Sequence, residues 1–324
     1  EIIGKSDSIY NKTIKSYTDV DAPVNIFEGL FEKIQEIGNN PREEFGLETP
    51  YPAFNRFYGH LRPANLYAVA SRAGQGKSSW LSDIAFGCHQ INPKIQVLYL
   101  DTEMSFDEQV FRRAAAISGV PLWYIETGNF RKNAELTEKI SKTLSDVGKY
   151  KFYHYQVANK NIDEGCSIIR RWYYSKCGRG NPCIIIYDYV KLTGEKIGEN
   201  WAEHQAMGSK IDKLKRISEE VKAPLFTAIQ MNRTGESANK NSSMVIDDSS
   251  AFALTDRLQW FASFTAIFRP KTLDEIALDG VHFGTHKMIA TKTRWQGKEA
   301  AGFSDYVKRT FPDKTERYVK NYLN

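Results

Sequence analysis

Cysteine is scarce in this chain: four residues in 324, Cys88, Cys166, Cys177 and Cys183, with no Cys-x-x-Cys pair. A disulfide framework is therefore disfavoured, and a reduced, cytoplasmic setting is the simplest reading. Histidine is scarce as well. His282 and His286 stand four apart, but a Gly280–Gly284 turn separates them and no third metal ligand accompanies them. Long apolar runs are missing: Cys183-Ile184-Ile185-Ile186-Tyr187 is of strand length, against the ~20 residues needed to span a bilayer. The first twenty residues are polar and lack a signal-peptide pattern. An excess of one charge is missing too, since 44 basic and 39 acidic residues leave a net charge of +5. Such a balance permits a polyanionic partner without arguing for one, because only clustering of the cations would matter. Internal repeats and low-complexity tracts are absent, and 41% hydrophobic with 26% charged residues is ordinary globular composition. Wholesale disorder and fibrous architectures are excluded.

The length suggests about two domains, or one large α/β domain with an appendage. Residues 1–24 are polar and aperiodic and read as a flexible tail; the start at Glu1 in place of Met suggests a piece of something longer. Residues 25–45 hold an isolated amphipathic helix expected over 25–38. Asn25 is its N-cap with Glu28 three residues on, Gly38 its stop, and Ile26, Phe27, Leu30, Phe31, Ile34 and Ile37 its apolar stripe. Periodicity alone leaves open whether that stripe packs on its own core or on a neighbouring subunit. From Leu66 the chain alternates strands (66–70, 96–100, 152–156, 183–187, 225–229, 264–268, 287–291) with helices (77–89, 106–118, 163–176, 203–222). The expected fold is α/β: residues 46–324 as one domain with a mostly parallel sheet covered by helices on both faces.

Five segments carry chemistry. Ser71-Arg72-Ala73-Gly74-Gln75-Gly76-Lys77-Ser78, followed by Ser79, is a near match to the phosphate-binding G-x-x-x-x-G-K-[ST] loop between a strand and a helix. Its backbone N–H groups would cradle phosphates, Lys77 would neutralise them and the Ser78 hydroxyl would ligate Mg²⁺. An apolar strand ending in Asp188 suits a second Mg²⁺ ligand. A third strand delivers Asp101 and Glu103 to the same edge, either able to orient an attacking water. A fourth ends in Gln230, which can hydrogen-bond a γ-phosphate, and leads into a polar loop. Lys292 and Arg294 stand at i and i+2 on an extended chain and point the same way. By spacing alone that pair is best read as a solvated hairpin edge.

Taken in order, these segments resemble the replicative hexameric helicases of the DnaB family, which share a RecA-like core. Thr102-Glu103-Met104 with Gln109 and Arg112 or Arg113 is similar to that family's LEM…Q…R segment; Asp188-Tyr189-Val190-Lys191-Leu192 to DYLQL; Gln230-Met231-Asn232-Arg233 to SQLNR; and Lys292-Thr293-Arg294-Trp295-Gln296-Gly297 to KQRNG. The resemblance implies an ATP- and Mg²⁺-dependent DNA helicase that encircles single-stranded DNA as a homo-hexamer and unwinds forked duplex in replication. A primase and a helicase loader are the implied protein partners. It also implies Glu103 as catalytic base, Gln230 as γ-phosphate sensor, and Lys292 and Arg294 as fingers reaching a neighbour's ATP. The 25–38 helix becomes a linker helix docked on the adjacent subunit. Loops at about 193–205 and 233–251, with Lys196, Arg233 and Lys240, become DNA-contact candidates. Ser71 departs from the family's Gly or Ala, and Trp260 and Ala262 replace residues it usually has acidic. A RecA-type strand-pairing ATPase and a non-helicase regulatory ATPase of the same superfamily are the alternatives.

Overall fold

The computed structural model describes residues 25–42, 44–191, 203–231, 260–295, 297, 306–310 and 316–320. The expected tail (1–24), the 233–251 loop and most of the 193–205 loop, including Lys196, Arg233 and Lys240, lie outside the described residues. The chain divides into two compact units, residues 1–43 and 44–324.

In the first unit, helix α1 spans Leu30–Asn39, shorter than the 25–38 helix expected. Asn25 is not its N-cap, which is Gly29 without a side-chain cap; instead Asn25 Oδ1 accepts the Phe27 N–H at 3.1 Å and its carbonyl accepts the Glu28 N–H at 3.1 Å. These bonds close only a turn, because Gly29 at φ +69° leaves the right-handed region and restarts the helix at Leu30. The stripe of Leu30, Phe31, Ile34 and Ile37 is exposed along its length.

The second unit is built on a seven-stranded sheet ordered β3-β2-β4-β5-β1-β6-β7. Its strands are β1 (Leu66–Ser71), β2 (Gln96–Asp101), β3 (Phe152–Gln156), β4 (Cys183–Asp188), β5 (Leu225–Gln230), β6 (Phe264–Pro270) and β7 (His286–Thr293). All pair in parallel except β7, which runs antiparallel to β6. The four central strands are continuous apolar runs, as a sheet covered on both faces requires. Alternation along them sorts side chains to opposite faces. Leu98, Leu100, Ile185 and Leu225 face α7 (Ile162–Trp172) and α8 (Glu203–Glu220). Val97, Tyr99, Ile186 and Phe226 face α3 (Lys77–Ile91) and α2 (Pro52–Tyr58). The helix expected over 163–176 becomes α7 followed by a π-turn, Tyr173–Cys177. Helix α4 (Phe106–Ser118) begins with the expected capping box of Ser105 and Glu108 and ends at Gly119. Helices α5 (Leu122–Thr127), α6 (Ala134–Leu144) and α9 (Leu273–Asp279), and a separate hairpin of β8 (Tyr306–Thr310) with β9 (Glu316–Lys320), are additional to the expected elements, although Asn133 caps α6 and a Thr272–Glu275 capping box opens α9.

Parallel pairing brings the ends of four strands to one edge. Ser71 stands level with Gln230, and Asp101 with Asp188. The chemistry-bearing residues sit there because each terminates a strand of this set.

Candidate active site

The loop between β1 and α3 wraps with Gly74 at φ +74° and Gly76 at φ +78°. Both values lie in the left-handed region that glycine adopts without a Cβ penalty. Gly76 caps α3, and no side chain accepts from the helix's first N–H groups. A fifteen-residue helix therefore presents uncapped donors and its positive dipole end to whatever lies above the loop. That space is a cavity of about 300 Å³, with Ala73, Gly74, Gly76, Lys77, Ser78 and Ser79 on one side and Glu103, Arg112, Tyr189 and Gln230 opposite. The structure thus brings together four of the five segments singled out in the sequence. Ser71, Arg72 and Gln75 do not line this cavity. Ser71 is fully buried; its carbonyl accepts from Met231 N at 3.0 Å and its hydroxyl donates to Arg72 O at 3.3 Å.

Lys77 reaches across to Asp188, Nζ to Oδ1 at 2.9 Å. The other Asp188 oxygen accepts the Tyr99 hydroxyl at 2.6 Å. Burial, and then the Asp188 charge it donates to, push the Tyr99 hydroxyl well above the ordinary tyrosine value. Lys77 also lies 3.9 Å from the centre of the Tyr189 ring. The Tyr189 hydroxyl is pushed up to about 12, first by burial and then by the charge and hydrogen bond of Glu103. Tyr99 and Tyr189 therefore tie the lysine, the strand-end aspartate and the loop glutamate into one network. Neither was singled out from the sequence, although Tyr99 shares the alternation of Val97 and Asp101 on β2, which aims it at the same face.

The two competing acids are separated by their surroundings. Asp101 is 1% exposed and already accepts three hydrogen bonds, whereas Glu103 is exposed and lines the cavity. Burial works to raise the Asp101 pKa. The approach of the His154 ring and the N–H groups of Met104, Glu103 and Gln109 outweigh it and hold the carboxyl below its usual value.

Lys292 and Arg294 stand at and just beyond the end of β7 and do not line this cavity. The Arg294 backbone N–H donates to Ser263 O at 2.9 Å. Burial, and then the Arg294 charge, hold the Lys292 ammonium below the ordinary lysine value. A second, larger cavity of about 690 Å³ adjoins the first, sharing Gly76, Ser78, Ser79 and Arg112. One wall is a stacked pair of Phe268 and His286, with ring centroids 5.2 Å apart.

The donor set fits a magnesium nucleotide. The uncapped α3 terminus suits phosphate, while one hydroxyl (Ser78) and one carboxylate (Asp188) suit an ion that keeps waters and phosphate oxygens as its other ligands.

Comparison with known proteins bears on the fold and the family. A solved structure described as an ATPase domain superposes with a TM-score of 0.71 at 16% identity, over 84% of this chain and 92% of that one. A DnaB-like replicative helicase studied with its primase superposes at 0.68 and 15% identity, over 90% and 71%. At such identities these matches establish the RecA-like fold alone. In sequence, the replicative DNA helicase DnaB of Buchnera aphidicola (subspecies Baizongia pistaciae) is 26% identical over 73% of this chain and 51% of its own length. That of Haemophilus influenzae is 25% identical over 66% and 45%. The chain therefore spans about half the length of the curated relatives it matches. Residues 46–251 match the model of the DnaB-like helicase C-terminal domain, and with well over half of its length so matched the chain belongs to that family.

Proposed function

We propose that this chain is the motor of a ring helicase: six copies encircle single-stranded DNA and use ATP hydrolysis to unwind duplex at a replication fork, in the cytoplasm. The observation that carries this reading is the convergence of the uncapped α3 terminus, Lys77, Glu103 and Gln230 on one cavity.

The loop N–H groups of residues 73–79 would bind the phosphates, and Lys77 would exchange Asp188 for phosphate oxygens. Ser78 and Asp188 would hold Mg²⁺, which when bound neutralises charge on the transferring phosphoryl group. Glu103 would accept the proton of the attacking water, and its hydrogen bond to Tyr189 would orient it meanwhile. Gln230 would sense the γ-phosphate. The base and ribose would lie in the larger cavity along Phe268 and His286. Arg294 and Lys292, remote from the cavity of their own chain, would complete the neighbour's site; such an arginine is worth about 10³–10⁵ in rate.

Domain roles follow the same reading. Residues 25–45 would be a linker docking the exposed α1 stripe on the adjacent subunit, and 46–324 the ATPase domain. DNA would be met by loop cations on phosphates, giving salt-dependent and sequence-tolerant binding. A primase and a loader are the partners, the first supported by the structural neighbour described with its primase. The deciding experiment is strand displacement on a forked duplex by the wild type and Lys77→Ala. Loss of unwinding in the variant is expected, and unwinding that survives it refutes the reading.

A further inference from the structure

The acid two residues before Glu103 is not a spare base, and what it holds indicates its use. Asp101 ends β2 and is 1% exposed. Its Oδ1 accepts the backbone N–H of Glu103 at 2.8 Å and that of Met104 at 2.7 Å. Its Oδ2 accepts Nε2 of Gln109 at 2.7 Å. Gln109 is itself buried, in the second turn of α4, so the carboxylate clamps the β2–α4 turn from both ends. The His154 ring of β3 stands 3.8 Å from the same Oδ2 and closes the site laterally. Thr102, between the two acids, is fastened to β4: its N–H donates to Asp188 O at 2.9 Å and its Oγ1 accepts from Tyr189 N at 3.2 Å. The backbone of segment 101–104 is thereby held by Asp101 and β4, and of these four residues Glu103 is the one that lines the phosphate cavity, its carboxylate meeting the Tyr189 hydroxyl.

We infer that Asp101, held by Gln109, is a positioning residue that sets the place of the Glu103 carboxylate. The inference rests on the reading of Glu103 as the base. The N–H that Asp101 grips belongs to Glu103 itself, so losing the grip frees the peptide from which the carboxylate hangs. A displacement of about 1 Å at a reacting group can cost about 10²-fold. The loss falls on the chemical step, because the phosphate-binding loop 71–79 shares none of these hydrogen bonds.

The test measures steady-state ATP hydrolysis and equilibrium binding of a fluorescent ATP analogue on the full chain. Asp101→Ala is expected to lower kcat by about 10–100-fold while nucleotide affinity stays within about twofold. Asp101→Asn keeps an acceptor for both N–H groups and lets the Gln109 amide turn to present its oxygen, so kcat returns to within about fivefold. Asp101→Ala combined with Glu103→Gln is expected to be no slower than Glu103→Gln alone, since two groups acting through one carboxylate cannot lose it twice. Should Asp101→Ala fail to fold, Asp101→Ser takes its place with an intermediate kcat. Wild-type kcat in folded Asp101→Ala or Asp101→Ser beside an inactive Glu103→Gln overturns the positioning role, as does a double-variant loss equal to the product of the single losses. Wild-type hydrolysis by Glu103→Gln overturns instead the reading of Glu103 itself.

Discussion

The Lys77–Asp188 pair offers a quantitative test on the nucleotide-free protein. The ammonium and the carboxylate are 2.9 Å apart, with side chains 11% and 2% exposed. Removing one partner of a buried pair leaves the other uncompensated and typically costs about 3–5 kcal/mol. Lys77 lies beside an open cavity, and Asp188 keeps the Tyr99 hydroxyl, so the lower end applies to Lys77→Met: about 3 kcal/mol. At about 2.1 cal/mol/K of unfolding entropy per residue, that corresponds to a fall of about 5 °C in Tm for a domain of this size. Asp188→Asn alone is expected to cost less, about 1–2 kcal/mol, because the long lysine can turn toward water. In the double variant no buried charge is stranded, so the two changes should be less than additive by about 1–2 kcal/mol. The assay is thermal unfolding without nucleotide at one fixed protein concentration, since assembly makes Tm depend on concentration. Additivity of the two variants to within about 0.5 kcal/mol would falsify the claim that Lys77 rests on Asp188 when no phosphate is present.

Mixing Arg294→Ala subunits with Glu103→Ala subunits should restore part of the ATPase activity, because some mixed interfaces contain both intact groups. No recovery in rings verified as mixed removes Arg294 from the neighbour's site. Leu30→Asp with Phe31→Asp should reduce the particle mass in light scattering while leaving the circular dichroism of the folded domain; an unchanged mass refutes docking through the α1 stripe. Glu275 bears on acid stability. Burial works to raise its pKa, but Arg269, Lys287 and the Thr272 N–H hold it at about 2, against an ordinary value of 4.5. A carboxyl depressed on folding stabilises the protein fully above the unfolded value and loses that contribution as pH falls through the folded one. Stability should therefore decline between about pH 4.5 and 2, and Glu275→Gln should flatten that part of the pH–Tm curve. An unaltered slope in the variant counts against the assignment.

Much of the architecture is legible in the chain because its signals are local. Uninterrupted apolar runs such as Cys183–Tyr187 require a strand buried on both sides, and the Ser105 hydroxyl and Glu108 carboxylate supply the two acceptors for the N–H groups of a helix start whatever surrounds it. The glycines and lysine of the 71–78 loop announce phosphate for the same reason: their conformational freedom and charge belong to the residues themselves. Helix α1 starts later than Asn25 suggests, since such a residue describes a turn as well as a helix and the Gly29 φ decides between them. Which of two nearby acids faces phosphate does not follow from their own chemistry, although the family resemblance points to Glu103. Asp101 ends β2 and Glu103 follows two residues on; both carry a carboxylate, and their surroundings separate their roles. The parallel register sets Asp101 level with Asp188, and the packing of α4 brings Gln109 onto its carboxylate. The Gln109 amide eight residues on and the Tyr189 hydroxyl beyond β4 are brought in by packing, and they make Asp101 a clamp and hold Glu103 at the cavity.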